Sequence, residues 1–244
     1  MARPLAAPVD DPPDPLIHLV TDRHRLCPQS TAWPAVVAAL ERQAAEAADA
    51  GVSVLQLREH DLDAHVMADL AGALQRRVAG SATTLVVNDR ADVAMTAGAG
   101  GVHLRRHGPA VSGVRAIGPV TPGAPGPPGT WIVGRSVGSV QDVVAHQDAD
   151  YLIFGTMFPS RSKPGLEGQG EQALALAVRA GRVPIIAIGG LSPERAEWCA
   201  RAGAAGAAAI GLFLPAGLES EARGVHEAVR VLREAFDRAR SGVK

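Results

Sequence analysis

The chain has 244 residues, 47% of them apolar and only 3% aromatic, and a net charge of −1 at pH 7. That length exceeds a usual domain of about 100–200 residues but suits one α/β barrel, with a core built mainly from Val, Leu, Ile and Ala. A charge near zero, with no basic block, argues against nucleic acid as the main partner.

Residues 1–15, MARPLAAPVDDPPDP, are Pro-rich, carry acids and lack the apolar centre of a signal peptide, so a disordered N-terminal arm is expected there. Apolar runs and amphipathic stretches then alternate. LIHLV at 16–20 precedes a helical stretch at 34–50, VSVLQL at 52–57 precedes 62–79, TTLVV at 83–87 precedes 90–98, and GVHL at 101–104 precedes 110–117. TWIV at 130–133 precedes 139–147, YLIF at 151–154 precedes 171–180, PIIAI at 184–188 precedes 193–202, and AAAIG at 207–211 precedes 222–240. The apolar runs are continuous rather than alternating, as in parallel strands buried on both faces. Eight such βα units predict an α/β fold, a single (β/α)8 TIM barrel over residues 16–240. A doubly wound open sheet is the alternative, since periodicity does not show closure. GPVTPGAPGPPGT at 118–130 reads as a long connection on the bottom face. No run is long enough to span a bilayer. Cys27 and Cys199 stand outside any CxxC or His cluster, which points to two free thiols in a reducing cytoplasm and against a disulfide framework or a zinc site.

In a barrel the active site lies at the C-terminal ends of the strands. The polar residues there are Thr21, Asp22 and Arg23 after the first strand; Gln56, Arg58, Glu59 and His60 at the second; Asn88, Asp89 and Arg90 after the third; and Arg105, Arg106 and His107 after the fourth. Arg135 and Ser136 follow the fifth, Ser160, Arg161, Ser162 and Lys163 the sixth, Gly189 and Gly190 the seventh, and Gly211 stands at the eighth. Cations, hydroxyls and amides dominate, with Asp89 as the conspicuous acid. Such a lining suits phosphate or pyrophosphate, and one acid among phosphate-binding groups suits Mg²⁺. Gly189-Gly190 precedes Ser192 as a helix N-cap and Pro193 at the first helical position, so bare amides would face an anion there, although glycines after strands also serve as tight turns. The segment FGTMFPSRSKPGLEGQG at 154–170 cannot bury itself and suits a loop closing over an anion. His18 and His103 lie within strands and read as packed, hydrogen-bonded histidines. Glu194, Arg195 and Glu197 read as a solvated helix face, and Trp33 and Trp198 as packing. Asp22 and Arg23 read equally as substrate contacts or as a turn.

The strings LVTDR, GVSVLQLREH, LVVNDRADVAMTAGAGGVHL, IVGRSVGSVQD, ADYLIFGTMFPSRSK, VPIIAIGGLSPER and AGAAGAAAIG resemble, in order over about residues 16–215, the family of thiamine phosphate synthase and its relative TenI, the thiazole tautomerase. The resemblance implies a barrel in thiamin biosynthesis that joins 4-amino-2-methyl-5-hydroxymethylpyrimidine pyrophosphate to thiazole phosphate with Mg²⁺, releasing pyrophosphate. Carried over by position, it implies Gln56, Arg58, Asn88 and Asp89 for pyrophosphate and metal, with Asp89 the metal ligand. It implies Ser136, Ser160, Ser162 and Lys163 beside them, with serines where threonines are usual, and Gly189, Gly190, Ile210 and Gly211 for thiazole phosphate. Arg58, Lys163, Ser136 and His60 are the catalytic candidates. There are departures. His60 stands for the family's lysine, Arg105-Arg106-His107 replaces a segment that carries a Mg²⁺ carboxylate, and Gly138 replaces the histidine of S-x-H, while GRSV and GLEGQG resemble TenI. A TenI-type tautomerase, with His60 or His107 as its acid-base group, and a non-catalytic thiazole-phosphate-binding protein are the alternatives. The partners expected are small phosphate and pyrophosphate molecules, with neither nucleic acid nor membrane, and a homo-oligomer stays open.

Overall fold

Continuous apolar runs become strands here because both of their faces are covered, one by the helices and one by the barrel interior. The structure, a computed structural model, describes residues 14–30, 32–118, 131–161 and 165–242. Eight parallel strands pair in sequence order, and β8 closes back onto β1 through His18↔Ala208 and Leu19↔Ala209. The strands are β1 (Leu16–Val20), β2 (Val54–Leu57), β3 (Thr84–Asn88), β4 (Gly101–Leu104), β5 (Ile132–Val137), β6 (Tyr151–Phe154), β7 (Ile185–Ile188) and β8 (Gly206–Ala209). The helices are α1 (Arg23–Leu26), α2 (Trp33–Ala50), α3 (Ala64–Val78), α4 (Ala91–Thr96), α5 (Val111–Ile117), α6 (Val140–Ala145), α7 (Gly170–Ala180), α8 (Pro193–Arg201) and α9 (Val225–Ser241). The expected barrel is therefore present, and the open-sheet alternative is excluded by the β1–β8 pairing.

Period-two alternation splits the core into two. Leu19, Leu55, Leu85, Leu104 and Leu152 face the helices in one large outer cluster. Tyr151, Ile153, Ile186 and Ala208 form a small inner one. The inner residues opposite Tyr151 must be small: a Cβ at Gly134 would collide with its ring.

Element ends shift by a few residues from the sequence expectation, and three departures bear on the site. β5 runs to Val137 rather than ending at 133, because Ser136 and Val137 pair with Ile153 and Phe154 of β6. Polar side chains hid that extension. β8 ends at Ala209, and Gly211–Phe213 form a 3-10 turn. The short helix α1 was not expected; Asp22 caps it by accepting from the Arg25 N–H at 3.1 Å. Residues 1–13 of the expected arm and 119–130 of the Pro/Gly connection lie outside the described residues. Cys27 and Cys199 are both free thiols. No helix among the described residues is long and apolar enough to cross a membrane.

Candidate active site

The C-terminal ends of the strands open on a cavity of about 760 Å³. It is lined by eleven of the expected site residues: Gln56, Arg58, His60, Asn88, Asp89, Ser136, Ser160, Gly189, Gly190, Ile210 and Gly211. Ser162 and Lys163 lie outside the described residues.

One wall is a directed hydrogen-bond chain that starts at Asp89. An ionised carboxylate only accepts, so Asn88 turns its Nδ2 toward Asp89 Oδ2 (3.1 Å). Asn88 Oδ1 then faces Gln56 Nε2 at 2.7 Å, and Gln56 Oε1 faces His18 Nε2 at 2.9 Å. His18 must therefore be the neutral Nε2–H tautomer. Burial holds its pKa down at about 4, against the favourable bond to Gln56, so it is neutral at pH 7. A carboxylate at the mouth thus sets the tautomer of a histidine on the barrel floor. Asp89 itself has φ +59, a conformation that Asp tolerates better than most residues, and its Oδ1 accepts the Arg105 N–H at 2.7 Å.

The adjacent wall is a second chain. Buried Tyr151, whose pKa is raised by burial, keeps its proton and faces His103 Nδ1 at 3.2 Å; His103 Nε2 faces Ser136 Oγ at 2.9 Å. With Tyr151 donating to Nδ1, His103 donates from Nε2, and the Ser136 proton is left to point into the cavity. Burial, then the charges of His18 and Arg135, hold His103 well below its ordinary pKa. His18 and His103 are thus packed, hydrogen-bonded histidines as expected, and His103 also lines the cavity.

Arg58 enters this corner with no side-chain hydrogen bond or ion pair among the described residues. His60 sits beside it at the rim; loss of hydration and the Arg58 charge lower its pKa, so it is neutral at pH 7. Arg105 and Arg106 also line the cavity, whereas His107 is exposed outside it. The Arg106 guanidinium pairs with Asp142 at 2.8 Å and lies 2.8 Å from where a Cβ on Gly138 would stand. An arginine from the loop after β4 therefore occupies the space of a side chain at 138.

The opposite end is built of glycine. Gly189 and Gly190 have φ +104 and +61. A Cβ at Gly189 would stand 2.6 Å from Thr156 Cγ2, and one at Gly190 would collide with the Pro159 carbonyl. Both glycines are thus needed for the turn and for the close approach of residues 156–159. Ser192 caps α8, as expected, by accepting from the Arg195 N–H at 3.3 Å. Arg195 is not simply solvated: it donates to the Gly190 carbonyl at 2.6 Å and covers the Phe158 ring at 4.9 Å. On the far side of β6, Gln169 donates to the Gly138 carbonyl at 2.6 Å, and its N–H donates to the Thr156 carbonyl at 2.9 Å, drawing the GLEGQG stretch back over the strand end.

Other residues expected at the mouth are structural. Arg135 is buried and faces outward, donating to the carbonyls of Arg106 and Pro109, because Ser136, next on the strand, takes the inward face. Glu59 is buried and binds the Thr21 hydroxyl at 2.8 Å and Arg23 at 3.1 Å, clamping the first two loops together. Asp22 and Arg23 belong to that turn. Trp33 and Trp198 are both partly exposed. Sequence reasoning missed Arg25, Thr156 and Glu219, all of which line the cavity. Thr156 stands just past β6 and was open to the same rule that found Ser160. Arg25 and Glu219 carry no local signal.

The residues offer a metal little by themselves. Among the described residues no group of three or more His, Cys, Asp or Glu side chains could hold an ion. Arg105 Nε lies 4.0 Å from Asp89 Oδ2. Asp89 keeps one lone pair on each oxygen, so the site fits a Mg²⁺ that shares a single carboxylate with substrate phosphates and water.

The sequence matches the thiamine monophosphate synthase family over residues 19–213. It is 33% identical over 195 residues to a thiamine-phosphate synthase of Chlorobium luteolum, spanning 79% of this chain and 85% of that protein. It is likewise 33% identical over 233 residues to a thiamine-phosphate synthase of Roseiflexus sp., spanning 93% and 89%. Among solved structures it resembles a thiamine phosphate pyrophosphorylase from Pyrococcus furiosus, with a TM-score of 0.71 and 24% identity over 91% of this chain and 96% of that one, a likeness of fold. The chain belongs to the thiamine monophosphate synthase family.

Proposed function

We propose that this member of the family is a thiamine phosphate synthase, a cytoplasmic enzyme of one barrel over residues 16–240. It would couple 4-amino-2-methyl-5-hydroxymethylpyrimidine pyrophosphate to thiazole phosphate and release pyrophosphate. One observation carries the reading. A single cavity of about 760 Å³ has at one end a guanidinium without a side-chain partner among the described residues and an amide–carboxylate chain, and at the other a glycine turn. It offers room for two ring systems, with an anion site at each end.

The reaction breaks the bond from the pyrimidine methylene to the pyrophosphate oxygen and forms one from that methylene to the thiazole nitrogen. Negative charge develops on the leaving group, and fixed donors lower that barrier most. Arg58 supplies an uncommitted charge there, and Ser136 supplies a hydroxyl proton aimed by His103 and Tyr151. Ser160 lines the same cavity, and Ser162 and Lys163 extend the set by sequence. Gln56 and Asn88 present amides locked by the His18–Asp89 chain, which holds the pyrimidine end in one orientation. Gly189, Gly190, Ile210 and Gly211 would hold the thiazole phosphate. Mg²⁺, held by Asp89 together with pyrophosphate oxygens, would neutralise leaving-group charge. Neutral His60 offers a hydrogen bond rather than a charge. A tautomerase would need His60 as its acid-base group, since Gly138 carries no side chain and His107 lies outside the cavity.

The test is to incubate purified protein with both substrates and Mg²⁺. Thiamine phosphate and pyrophosphate formed in equal amounts support the reading. Absence of product overturns it, and thiazole-phosphate binding without turnover would leave a binding protein.

A further inference from the structure

Arg25 reaches the glycine end of the cavity from α1, nearly the full chain length from the residues it meets. Its Nη2 lies 2.9 Å from where a Cβ on Gly211 would stand, so the guanidinium rests on the bare backbone at the end of β8. Two parallel bonds fix it there, Nε to Glu219 Oε1 at 2.9 Å and Nη2 to Glu219 Oε2 at 2.6 Å. Glu219 also faces Arg161 Nη1 at 3.4 Å, so this carboxylate stands between two cations, and Glu221 lines the same cavity. The pair is largely shielded, with side chains 20% and 10% exposed. The β7–β8 register, Ile188↔Ala208, brings Gly189 and Gly190 alongside residues 209 and 210, next to this guanidinium. Glycine amides supply donors but no full charge. Among the described residues, no cation of the loops after β7 and β8 lines the cavity, and Arg25 supplies one from α1.

We propose that Arg25 is the phosphate-binding cation at the glycine end of the cavity, held over Gly211 by Glu219. This rests on the reading that the glycine end receives a substrate phosphate. A guanidinium held beside the glycine turn adds a full charge to its amide donors and so separates a phosphorylated thiazole from its alcohol.

The experiment titrates the full-length protein with inorganic phosphate and with thiazole phosphate by calorimetry, for wild type, Arg25→Met and Glu219→Gln, and measures KM for each substrate. Loss of one charge-assisted contact weakens binding roughly 10–100-fold. Arg25→Met should weaken both phosphate ligands by that factor and raise KM for thiazole phosphate, with KM for the pyrimidine substrate changed less than about twofold. Glu219→Gln keeps an acceptor and the Arg25 cation while removing a competing anion, so phosphate affinity should hold or rise. Three results overturn the proposal: Arg25→Met binding phosphate as wild type does, both variants weakening equally as a merely structural pair would, or wild type failing to bind phosphate at millimolar concentration. If Arg25→Met does not fold, Arg25→Lys replaces it, with an intermediate loss expected and unchanged affinity for phosphate counting against the proposal. Failure of the synthase reading shows separately, as a wild type that makes no thiamine phosphate, and the phosphate titration still decides the role of Arg25.

Discussion

Replacing His18 with Gln should flatten the acid side of the stability profile. Native His18 resists protonation, with a pKa near 4 against 6.5 when unfolded. Between those values the unfolded chain binds more protons than the folded one, so stability present above pH 6.5 is lost as pH falls toward 4. At about 1.4 kcal/mol per pH unit, the difference amounts to about 3 kcal/mol in full, most of it lost by pH 4.5. For a chain of this size that is roughly 5–10 °C in Tm. Gln keeps an N–H donor for the Gln56 carbonyl and carries no proton equilibrium. Thermal melts followed by circular dichroism at pH 7.5 and 4.5 should therefore show a smaller acid loss for His18→Gln than for wild type, by that amount. His103, also held low by burial, adds an acid loss of the same sign in both proteins, and because His18 is among the groups that hold it low, the difference reports the two histidines together. Wild-type and variant melting curves that shift in parallel with pH would refute the reasoning, since the buried ring would then contribute no linkage.

Arg58→Ala should lower kcat/KM for coupling about 10²–10³-fold with Tm nearly unchanged, because the side chain stabilises developing charge and makes no side-chain hydrogen bond or ion pair among the described residues; an unaltered rate would remove it from the mechanism. Tyr151→Phe leaves His103 Nδ1 buried without its donor, which should cost about 1–3 kcal/mol in denaturant melts and free His103 to change tautomer, reducing kcat more than KM. Wild-type kcat in that variant would separate Ser136 from the Tyr151–His103 chain. Asp89→Asn should abolish the Mg²⁺ dependence together with most activity, measured as rate against Mg²⁺ concentration; full wild-type activity in excess EDTA would exclude a metal role. Gly190→Ala should disturb both the positive φ and the contact with the Pro159 carbonyl, lowering Tm and thiazole-phosphate affinity together.

The order of elements was legible because buried parallel strands leave continuous apolar runs: Leu16–Val20, Gly101–Leu104 and Tyr151–Phe154 coincide with the runs at 16–20, 101–104 and 151–154. The Ser192 cap was equally legible, and so were eleven residues of the mouth, because a side chain that follows a barrel strand has one place to go. Polar residues within β5 defeated the same rule: apolarity stops at Val133, while the ladder to β6 continues through Ser136 and Val137. Arg135 and Glu59 carried the right chemistry at the right loop ends, yet which face each takes depends on its strand neighbours and loop partners. Tertiary structure alone decided the rest: closure of β8 on β1, the chain that makes Asp89 set the tautomer of His18, Arg106 over Gly138, and the Arg25–Glu219 pair 194 positions apart. The physical reason is range. Periodicity, caps and positive φ arise from interactions within a few residues and are written locally, whereas a guanidinium meets a distant glycine only after a closed sheet has fixed the positions of all eight loops.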